Sequence, residues 1–204
     1  MDWAIHLVSA VALGICIIVF VGRLTVVEGN SMSPTLKNHN ILIIESITQR
    51  IGTIEQGDIV VLRIPELLSG KGNYAIKRVI AKENQRVNIS DGKVYVDGIP
   101  LQEDYINNEE TLSTNSPYAD FVVPPGCIYV LGDNRMPGKS SDSRYFGPVK
   151  EERIVGKTWV RIYPFTDAGV VKWKYNTGVL LTSYKSSTDE IVVVYIDYRQ
   201  KEST

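Results

Sequence analysis

The stretch YAIKRVI, residues 74–80, decides the interpretation of the fold because it combines the pattern of a buried strand with two adjacent cations. On a strand, Lys77 and Arg78 point to opposite faces, each between apolar neighbours, so the two cations do not share one solvent-facing side. A lysine that is desolvated in this way has a lowered pKa. Because lysine is rarely buried, the stretch by itself also fits an ordinary edge strand with an exposed Lys77.

Short β-branched or aromatic runs bounded by Gly, Asp, Asn or Pro recur after residue 22, which is typical of strands and turns. Asp91-Gly92 and Asp97-Gly98 favour tight turns because these residues tolerate positive φ. No segment after Gly22 has a long apolar stripe at the helical period. The sequence therefore predicts a mainly β domain, with strands over residues 41–45, 58–64, 74–81, 86–89, 93–96, 127–131 and 155–162.

We expect the β domain to extend over about residues 23–168, which is enough chain for one hydrophobic core. Within it, residues 101–120 are rich in Asn, Glu, Ser and Thr and predict a polar insertion outside the sheet. Residues 169–204 form a distinct tail, in which 178–184 and 190–198 alternate or run apolar around the sequence KSSTD. This pattern favours a final β-hairpin.

The N-terminal stretch from Trp3 to Gly22 carries no formal charge. Its length of about 20 residues is what a helix needs to cross the hydrocarbon of a bilayer. A cleaved secretory signal would instead have a basic n-region, a shorter apolar core and a small-residue cleavage site, and none of these is evident between Asp2 and Arg23. We therefore predict a retained transmembrane helix within residues 1–22. Arg23 is the only nearby cation, so flanking charge does not establish on which side of the membrane the β domain lies.

Charge and cysteine content argue against several classes of protein. The 22 Lys and Arg residues are balanced by 23 Asp and Glu residues, so there is no basic surplus that would favour nucleic-acid binding. Of the two cysteines, Cys16 lies in the apolar stretch and Cys127 in the β domain, so no disulfide between them is expected. No convincing metal-ligand cluster is found in the sequence, and we expect neither metal nor organic cofactor.

Ser31 opens the run SMSPTL, residues 31–36, a short step beyond the apolar stretch. A serine nucleophile needs a base within hydrogen-bond reach, and the usual base is histidine. The chain has only His6, inside the apolar stretch, and His39, in a polar KNHN turn where an exposed side chain is expected. The remaining candidate base is a lysine that burial keeps neutral, and Lys77 fits this requirement best.

Three blocks that follow one apolar span resemble the type I signal peptidase family, the membrane-bound Ser-Lys proteases that remove signal peptides. The blocks are GNSMSPTL at 29–36, GDIVV at 57–61 with YAIKRVI at 74–80, and GDNR at 132–135 with SSDSRYFG at 140–147. The match covers about residues 1–165 and looks like the single-span Gram-positive members. The resemblance implies a signal-peptidase-like β-sheet domain on the extracytoplasmic side of the cell membrane, near the secretion translocase. It also implies preprotein substrates with Ala-x-Ala-like sites and no cofactor.

The resemblance implies that Ser31 is the acylated nucleophile and that Lys77 is the general base. Met32 and Arg78 lie on family positions beside them. Gly29 stands where some relatives carry a serine that donates to the oxyanion. We therefore expect the oxyanion hole to consist largely of backbone N–H groups, above all that of Ser31.

The third block matches supporting positions of the family. Ser140 is placed where a hydroxyl helps to hold the lysine amine, and Asp142 with Arg144 is placed where an ion pair stiffens the site. The interval MPGK, residues 136–139, is longer than the family pattern, so Ser141 remains an alternative to Ser140. Without the resemblance, this block is typical of a polar turn.

Other functions remain open at this point. Ser-Lys domains of the LexA repressor type share the broad fold and cleave themselves, but they predict a DNA-binding domain where this chain has its apolar stretch. A specialised or non-catalytic assembly factor for pilus or surface proteins would bind precursors without cutting, which the presence of both Ser31 and Lys77 argues against. A membrane-tethered binding module would require the ordered motif matches to be coincidental.

Four aromatic residues, Trp159, Tyr163, Phe165 and Trp173, cluster late in the β domain. Trp and Tyr favour the interface between water and lipid, so some of these side chains are candidates for contact with the headgroups. The alternative is that they pack in the core of the last strands.

Overall fold

The computed structural model of the chain describes residues 2–45, 53–68, 72–106, 110–113, 115–171, 179–185 and 191–197. At positions 2, 12 and 15–21 and in the last two strands it describes the backbone alone. The chain divides into two compact units, Met1–Trp173 and Lys174–Thr204.

The first unit begins with helix α1, Asp2–Val21, which covers most of the apolar stretch. The described apolar side chains of this helix include Trp3 at 74%, Val8 at 67% and Leu13 at 63% exposure. Among the described residues, no helix has both the length and the hydropathy of a membrane crossing, so the crossing predicted within residues 1–22 is not shown.

Strands account for most of the remaining regular structure. In chain order the described strands are β1 (Gly22–Val26), β2 (Ile41–Glu45), β3 (Ile59–Arg63), β4 (Tyr74–Ala81), β5 (Arg86–Ser90), β6 (Lys93–Val96), β7 (Ile99–Pro100), β8 (Asp120–Val122), β9 (Cys127–Leu131), β10 (Val149–Lys150), β11 (Ile154–Tyr163), β12 (Gly169–Val170), β13 (Val179–Lys185) and β14 (Ile191–Asp197). A short helix, α2 (Ser143–Phe146), lies between β9 and β10. The predicted mainly β fold is thus confirmed.

The large sheet has the strand order β1-β2-β11-β3-β4-β9-β10, with β12 paired to β11. Strand β3 is a run of four buried apolar residues before Arg63, which suits a strand covered on both faces. Strand β4 pairs with β3 on one side and with β9 on the other, both antiparallel. Strand β9 pairs with β4 only from Arg78 onward, so residues 74–77 pair with β3 alone and leave one edge open. The alternative in which Lys77 is exposed is nevertheless wrong, because Lys77 is only 3% exposed.

The smaller sheet has the order β7-β6-β5-β8. Its turns are those predicted from the two Asp-Gly pairs, because Asp91 and Asp97 have φ values of 50° and 52° and the glycines after them also have positive φ. Apolar side chains of this sheet, such as Val87, pack with Tyr129 and Leu131 of β9. The two sheets therefore share a core next to the strands that carry the site.

The second unit contains a hairpin in which β13 and β14 pair antiparallel, with Val179 opposite Asp197 and Lys185 opposite Ile191. Trp173, one of the candidate membrane contacts, lies outside the described residues. The other three aromatic candidates are not core residues, since Trp159, Tyr163 and Phe165 are 51%, 47% and 83% exposed.

Candidate active site

Ser31 and Lys77 lie within hydrogen-bond distance of one another. The Nζ atom of Lys77 is 2.9 Å from the Oγ atom of Ser31 and 3.1 Å from the carbonyl oxygen of Ile76. Strand β4 holds the lysine inside the sheet, where only 3% of its surface is exposed. The structure thus brings together the two residues that the sequence singled out, 46 positions apart in the chain.

Burial is the main reason why the lysine amine loses its proton easily. It lowers the pKa of Lys77 from 10.5 to about 8, although Asp142 and Asp133 act in the opposite direction, and the positive charge of Arg144 lowers it further. An amine with this pKa is about half neutral at pH 8, so a large fraction of the molecules hold a base beside Ser31.

Met32 supports the turn that carries Ser31. Its side chain is 1% exposed and packs with Leu36, which is 0% exposed, in a small apolar cluster that includes residues of β2 and β3. The N–H of Leu36 donates to the carbonyl oxygen of Met32 at 2.8 Å and closes the turn. Met32 is therefore an apolar anchor beside Ser31.

Gly29 and Ser31 differ in whether their backbone donors are occupied. The N–H of Gly29 donates to Oδ1 of Asn38 at 2.9 Å, in a turn where Gly29 has φ +87°. The N–H of Ser31 has no hydrogen-bond acceptor within the part of the chain that the structure describes. Of these two N–H groups, that of Ser31 is therefore the one open to a ligand.

The loop 132–135 fixes the main chain around Ser31. The N–H of Asn134 donates to the carbonyl oxygen of Ser31 at 3.0 Å, and its side-chain Nδ2 donates to the carbonyl oxygen of Asn30 at 3.0 Å. A Cβ atom on Gly132 would lie only 2.4 Å from the carbonyl oxygen of Ser31 and 2.2 Å from Oγ of Ser140. Only glycine allows this close approach.

Arg78 ties β4 to the same loop from the other face of the strand. Its guanidinium donates to both carboxylate oxygens of Asp133, at 2.8 and 2.6 Å, and to the carbonyl oxygen of Gly57 at 2.9 Å. Both charged side chains are almost fully buried, at 1% and 0% exposure. Arg78 therefore joins β4 to the 132–135 loop and to the main chain at Gly57.

Asp142 and Arg144 form a second buried pair, with Nε–Oδ1 and Nη2–Oδ2 distances of 2.9 Å. Asp142 also accepts from the N–H of Gly132 at 3.1 Å and caps the N-terminus of α2. The hydroxyl of Ser143 accepts from the N–H of Val130 at 2.9 Å, which joins α2 to β9. Only Ser143–Phe146 is helical, and residues 132–142 lie in bends and turns, as the polar-turn alternative predicts. Unlike an ordinary surface turn, however, this segment buries Asp133, Arg135, Ser140 and Asp142.

Ser140, and not Ser141, is the buried member of the serine pair. Ser140 is 2% exposed, while Ser141 lies at the surface. Its Oγ has no hydrogen-bond partner among the described residues, and the Lys77 amine is bonded to Ser31 and Ile76 instead. The expected hydrogen bond between Ser140 and Lys77 is therefore not formed here. The hydroxyl of Ser140 and the carbonyl oxygen of Ser31 nevertheless both lie next to Gly132.

A cavity of about 1040 Å³ opens beside the Ser31–Lys77 pair. Strand β1, the 29–32 turn, the first half of β4 and residues 138–141 contribute to its lining. Strand β1 is at one end of the strand order, and Leu24 and Val26 on it are exposed at 68% and 51%. An extended peptide could add to such an edge through main-chain hydrogen bonds, with its side chains in the cavity.

The other candidates for chemistry lie apart from the pair. His39 is exposed in a turn with φ 65°, as its polar neighbours predicted. Within the described ranges, no group of three or more His, Cys, Asp or Glu residues could hold a metal ion.

Sequence reasoning missed part of the site's framework. Asp133 and Asn134 belong to a block that was recognised, yet neither was given a role. Glu103, Tyr105 and Thr111 belong to the predicted polar insertion, but they form hydrogen bonds in the network around Arg135. A Glu, a Tyr and a Thr in a polar stretch carry no pattern that distinguishes buried partners of an arginine from solvated loop residues.

Comparison with known proteins gives consistent matches over most of the chain. The family model "Signal peptidase, peptidase S26" matches residues 1–163. "Probable signal peptidase I-2" of Synechocystis sp. is 37% identical over 81% of this chain and 74% of its own length. "Signal peptidase I" of Bacillus caldolyticus is 39% identical over 69% of this chain and 79% of its own length. "Signal peptidase IB" of Staphylococcus aureus is 31% identical over 86% of this chain and 93% of its own length.

Among solved structures, a signal peptidase I from Enterococcus faecalis is similar to this chain. It is 30% identical, and the match covers 52% of this chain and 96% of that one, with a TM-score of 0.42.

Proposed function

From the premise that this chain belongs to the signal peptidase family, peptidase S26, we propose that Ser31 is its nucleophile and Lys77 its general base. The protein is a serine endopeptidase that removes signal peptides from preproteins. A non-catalytic assembly role is not favoured, since the relatives are named as peptidases. The observation that carries the assignment of the two residues is the 2.9 Å separation of Oγ and Nζ around a buried amine.

The proposed reaction proceeds through an acyl-enzyme. Neutral Lys77 accepts the proton of Ser31 as Oγ attacks the carbonyl carbon of the scissile peptide bond. The lysine then gives the proton to the leaving amine, the C–N bond breaks, and the signal peptide remains esterified to Ser31. A water molecule, deprotonated by the same amine, hydrolyses the ester and frees the serine.

The oxyanion of each tetrahedral intermediate would be stabilised by the open N–H of Ser31. One such donor contributes about 3–4 kcal/mol to the transition state. Gly29 does not supply the second donor in this conformation, because its N–H is bonded to Asn38. A group of the substrate, or a rearranged turn, would have to add to the Ser31 donor.

Substrate specificity would come from the cavity beside the pair. We expect the residues before the cut to lie extended along the edge near β1, with main-chain hydrogen bonds giving affinity. Ile76 and Val155 are among the apolar residues in the lining, which suits small apolar side chains of the Ala-x-Ala type.

We further propose that α1 anchors the protein in the cell membrane as a single span, with the β domain on the extracytoplasmic side near the secretion translocase. The uncharged length from Trp3 to Gly22 and the exposed apolar side chains of α1 support an anchor. Holding enzyme and preprotein in one bilayer raises their effective concentration. Extraction of α1-containing membranes with alkaline carbonate tests this proposal, because release of the full chain into the supernatant would contradict it.

The exposed aromatic residues extend the same proposal to the β domain. Trp159, Tyr163 and Phe165 would dip into the headgroups, which suits their amphipathic or apolar rings. Quenching of Trp159 fluorescence by brominated lipids, with Trp3 and Trp173 replaced by Phe, measures this directly. Unquenched emission from vesicle-bound protein would exclude the contact for Trp159.

The decisive experiment for the catalytic assignment is cleavage of a preprotein that carries an Ala-x-Ala site. The full chain in detergent is compared with Ser31→Ala and with the matched surface variant Ser90→Ala, whose residue is exposed at the end of β5 and is not among the residues lining the cavity, and the product masses are measured. We expect a single cut after the second Ala by the wild type and by Ser90→Ala, and none by Ser31→Ala. Equal cleavage by Ser31→Ala would refute the assignment of the nucleophile.

A further inference from the structure

Part of the polar insertion between β7 and β8 is buried beneath the loop that holds the nucleophile. The side chain of Glu103 is 6% exposed, and Tyr105 and Thr111 are 9% and 1% exposed. Buried carboxylates are costly unless they are paired, so a glutamate in this position requires a specific partner. That partner is Arg135, whose side chain is 0% exposed.

Nearly all the N–H donors of the Arg135 guanidinium have hydrogen-bond acceptors. Both terminal nitrogens donate to the carboxylate of Glu103, with an Nη1–Oε2 distance of 3.0 Å, and Nη1 also donates to Oγ1 of Thr111 at 2.6 Å. The hydroxyl of Tyr105 donates to Oε1 of Glu103 at 2.6 Å. Three side chains of the insertion therefore fix the plane of one guanidinium.

Arg135 transmits this constraint to the nucleophile. Its remaining donor, Nε, bonds the carbonyl oxygen of Gly132 at 2.9 Å. Gly132 in turn packs so closely on the carbonyl of Ser31 that no Cβ fits between them. The contacts run from Glu103 through Arg135 and Gly132 to Ser31, with no exposed side chain in the path.

Tyr105 adds a second connection, toward the general base. Its ring lies 3.8 Å from the guanidinium carbon of Arg78, which pairs with Asp133 and directly follows Lys77 on β4. Stacking on a desolvated guanidinium stabilises it by a cation–π interaction. The insertion thus contacts the residues that hold both halves of the catalytic pair.

The buried charges of this network are balanced. The three arginines at 78, 135 and 144 are paired with Asp133, Glu103 and Asp142. With all six charged, the cluster is neutral when the amine of Lys77 is neutral. Removal of one negative charge would leave a net positive cluster around the base, which disfavours a protonated lysine.

We propose that Glu103 is a positioning residue for the reaction assigned to Ser31 and Lys77, acting through Arg135 and Gly132, with Tyr105 and Thr111 completing its site. The proposal rests on the proposed function, because it concerns the placement of that nucleophile and base. Glu103 does not touch the reacting atoms, so its loss affects the rate and the pH dependence more than substrate affinity.

The test compares Glu103→Gln with the wild type in the full chain, using the same preprotein cleavage. The amide preserves the volume but removes the charge that Arg135 requires. We expect kcat to fall about tenfold or more, KM to change less than about threefold, and the acid limb of the kcat profile to move to lower pH. This shift is expected because Lys77 faces Asp133, Asp142 and Arg144, and the added positive charge lowers its pKa further.

Val87→Ala is the matched control for lost stability, since Val87 is fully buried in β5 and packs in the core shared by the two sheets. Its kcat and acid limb should equal those of the wild type once both are compared at equal folded fraction by near-UV circular dichroism. If Glu103→Gln behaves like Val87→Ala in kcat and pH profile, Glu103 is a structural residue only and the proposal is wrong.

Two milder variants decide the question if Glu103→Gln does not fold. Tyr105→Phe removes only the hydroxyl bonded to Glu103, and Thr111→Val removes only the hydroxyl bonded to Arg135. Each should lower kcat about twofold to tenfold at unchanged KM, and wild-type kcat in both would overturn the proposal. Cleavage by the wild type and its loss in Ser31→Ala establish the catalytic assignment independently, so failure of that assignment is distinguished from failure of the Glu103 proposal.

Discussion

Replacement of Gly132 by alanine should disable the enzyme without removing any catalytic group. A Cβ atom there would lie 2.4 Å from the carbonyl oxygen of Ser31, whereas ordinary contact begins at 3.4 Å. The Oγ of Ser140 can rotate away from the new methyl group, but the Cβ of Ser140, which would lie 2.7 Å from it, and the backbone carbonyl of Ser31 cannot. The loop 132–135 and the turn of Ser31 must therefore separate by about 1 Å, and a misplacement of that size lowers a rate by about 10²-fold. This corresponds to about 2.7 kcal/mol of the activation barrier.

The assay is kcat for cleavage of the Ala-x-Ala preprotein, measured together with the thermal unfolding midpoint. Gly169→Ala is the matched control, because a Cβ on Gly169 meets no atom within 4 Å. We expect wild-type kcat for Gly169→Ala and a loss of about 10²-fold for Gly132→Ala, with at most a small change in KM. A folded Gly132→Ala protein whose kcat is within about threefold of the control would refute the steric argument.

Three further predictions concern buried charge. In the proposed mechanism Lys77 acts as a base only when neutral, and its pKa is about 8, so kcat/KM should rise about tenfold per pH unit below pH 8 and level off above it. A flat wild-type profile from pH 6 to 9 would contradict the assignment of Lys77. Lys77→Met should lower kcat/KM by about 10²–10⁴-fold. The same lowered pKa means that the unfolded chain binds more protons between pH 8 and 10.5, so unfolding free energy by urea titration should rise with pH in that window for the wild type but less for Lys77→Met. Asp142→Asn leaves Arg144 buried without its counter-charge and should lower the free energy of unfolding, measured with urea, by about 3–5 kcal/mol. The control Asp120→Asn, at the exposed pair with Arg86, should change stability little. Similar losses in both variants would contradict the argument that burial makes the first pair matter more.

The strands and turns could be predicted from sequence where local pattern and tertiary packing agree. The apolar run of β3, the Asp-Gly turns and the alternation in β5 and β6 each specify structure within a few residues. Strands such as β1, β7, β10 and β12 were not predicted, because they are short or lack alternation and exist only through pairing with a neighbour. The same holds for α2, whose four residues are helical because Asp142 caps them and Ser143 and Arg144 are buried.

The position of the pair could be anticipated only in part. Apolar neighbours suggested that Lys77 is desolvated, but periodicity could not decide whether its side chain is buried. The structure has residues 74–77 paired with β3 alone and still buries Lys77 to 3% exposure. The insertion shows the opposite case, in which a polar sequence conceals buried residues. Glu103 is buried because Arg135 lies opposite to it, and a contact between residues 32 positions apart leaves no signature in one sequence.

The site depends on the exclusion of water as much as on the two catalytic groups. Asp142 and Asp133 favour the charged form of Lys77, and burial, together with the positive charge of Arg144, outweighs them and keeps the pKa near 8. If water reached the amine, the desolvation effect would be lost and these carboxylates would raise the pKa toward or above its ordinary value. A protonated lysine cannot accept the proton of Ser31. Residues that keep water from the amine, such as the buried Met32 beside Ser31, are therefore expected to affect the rate although they take no part in bond making.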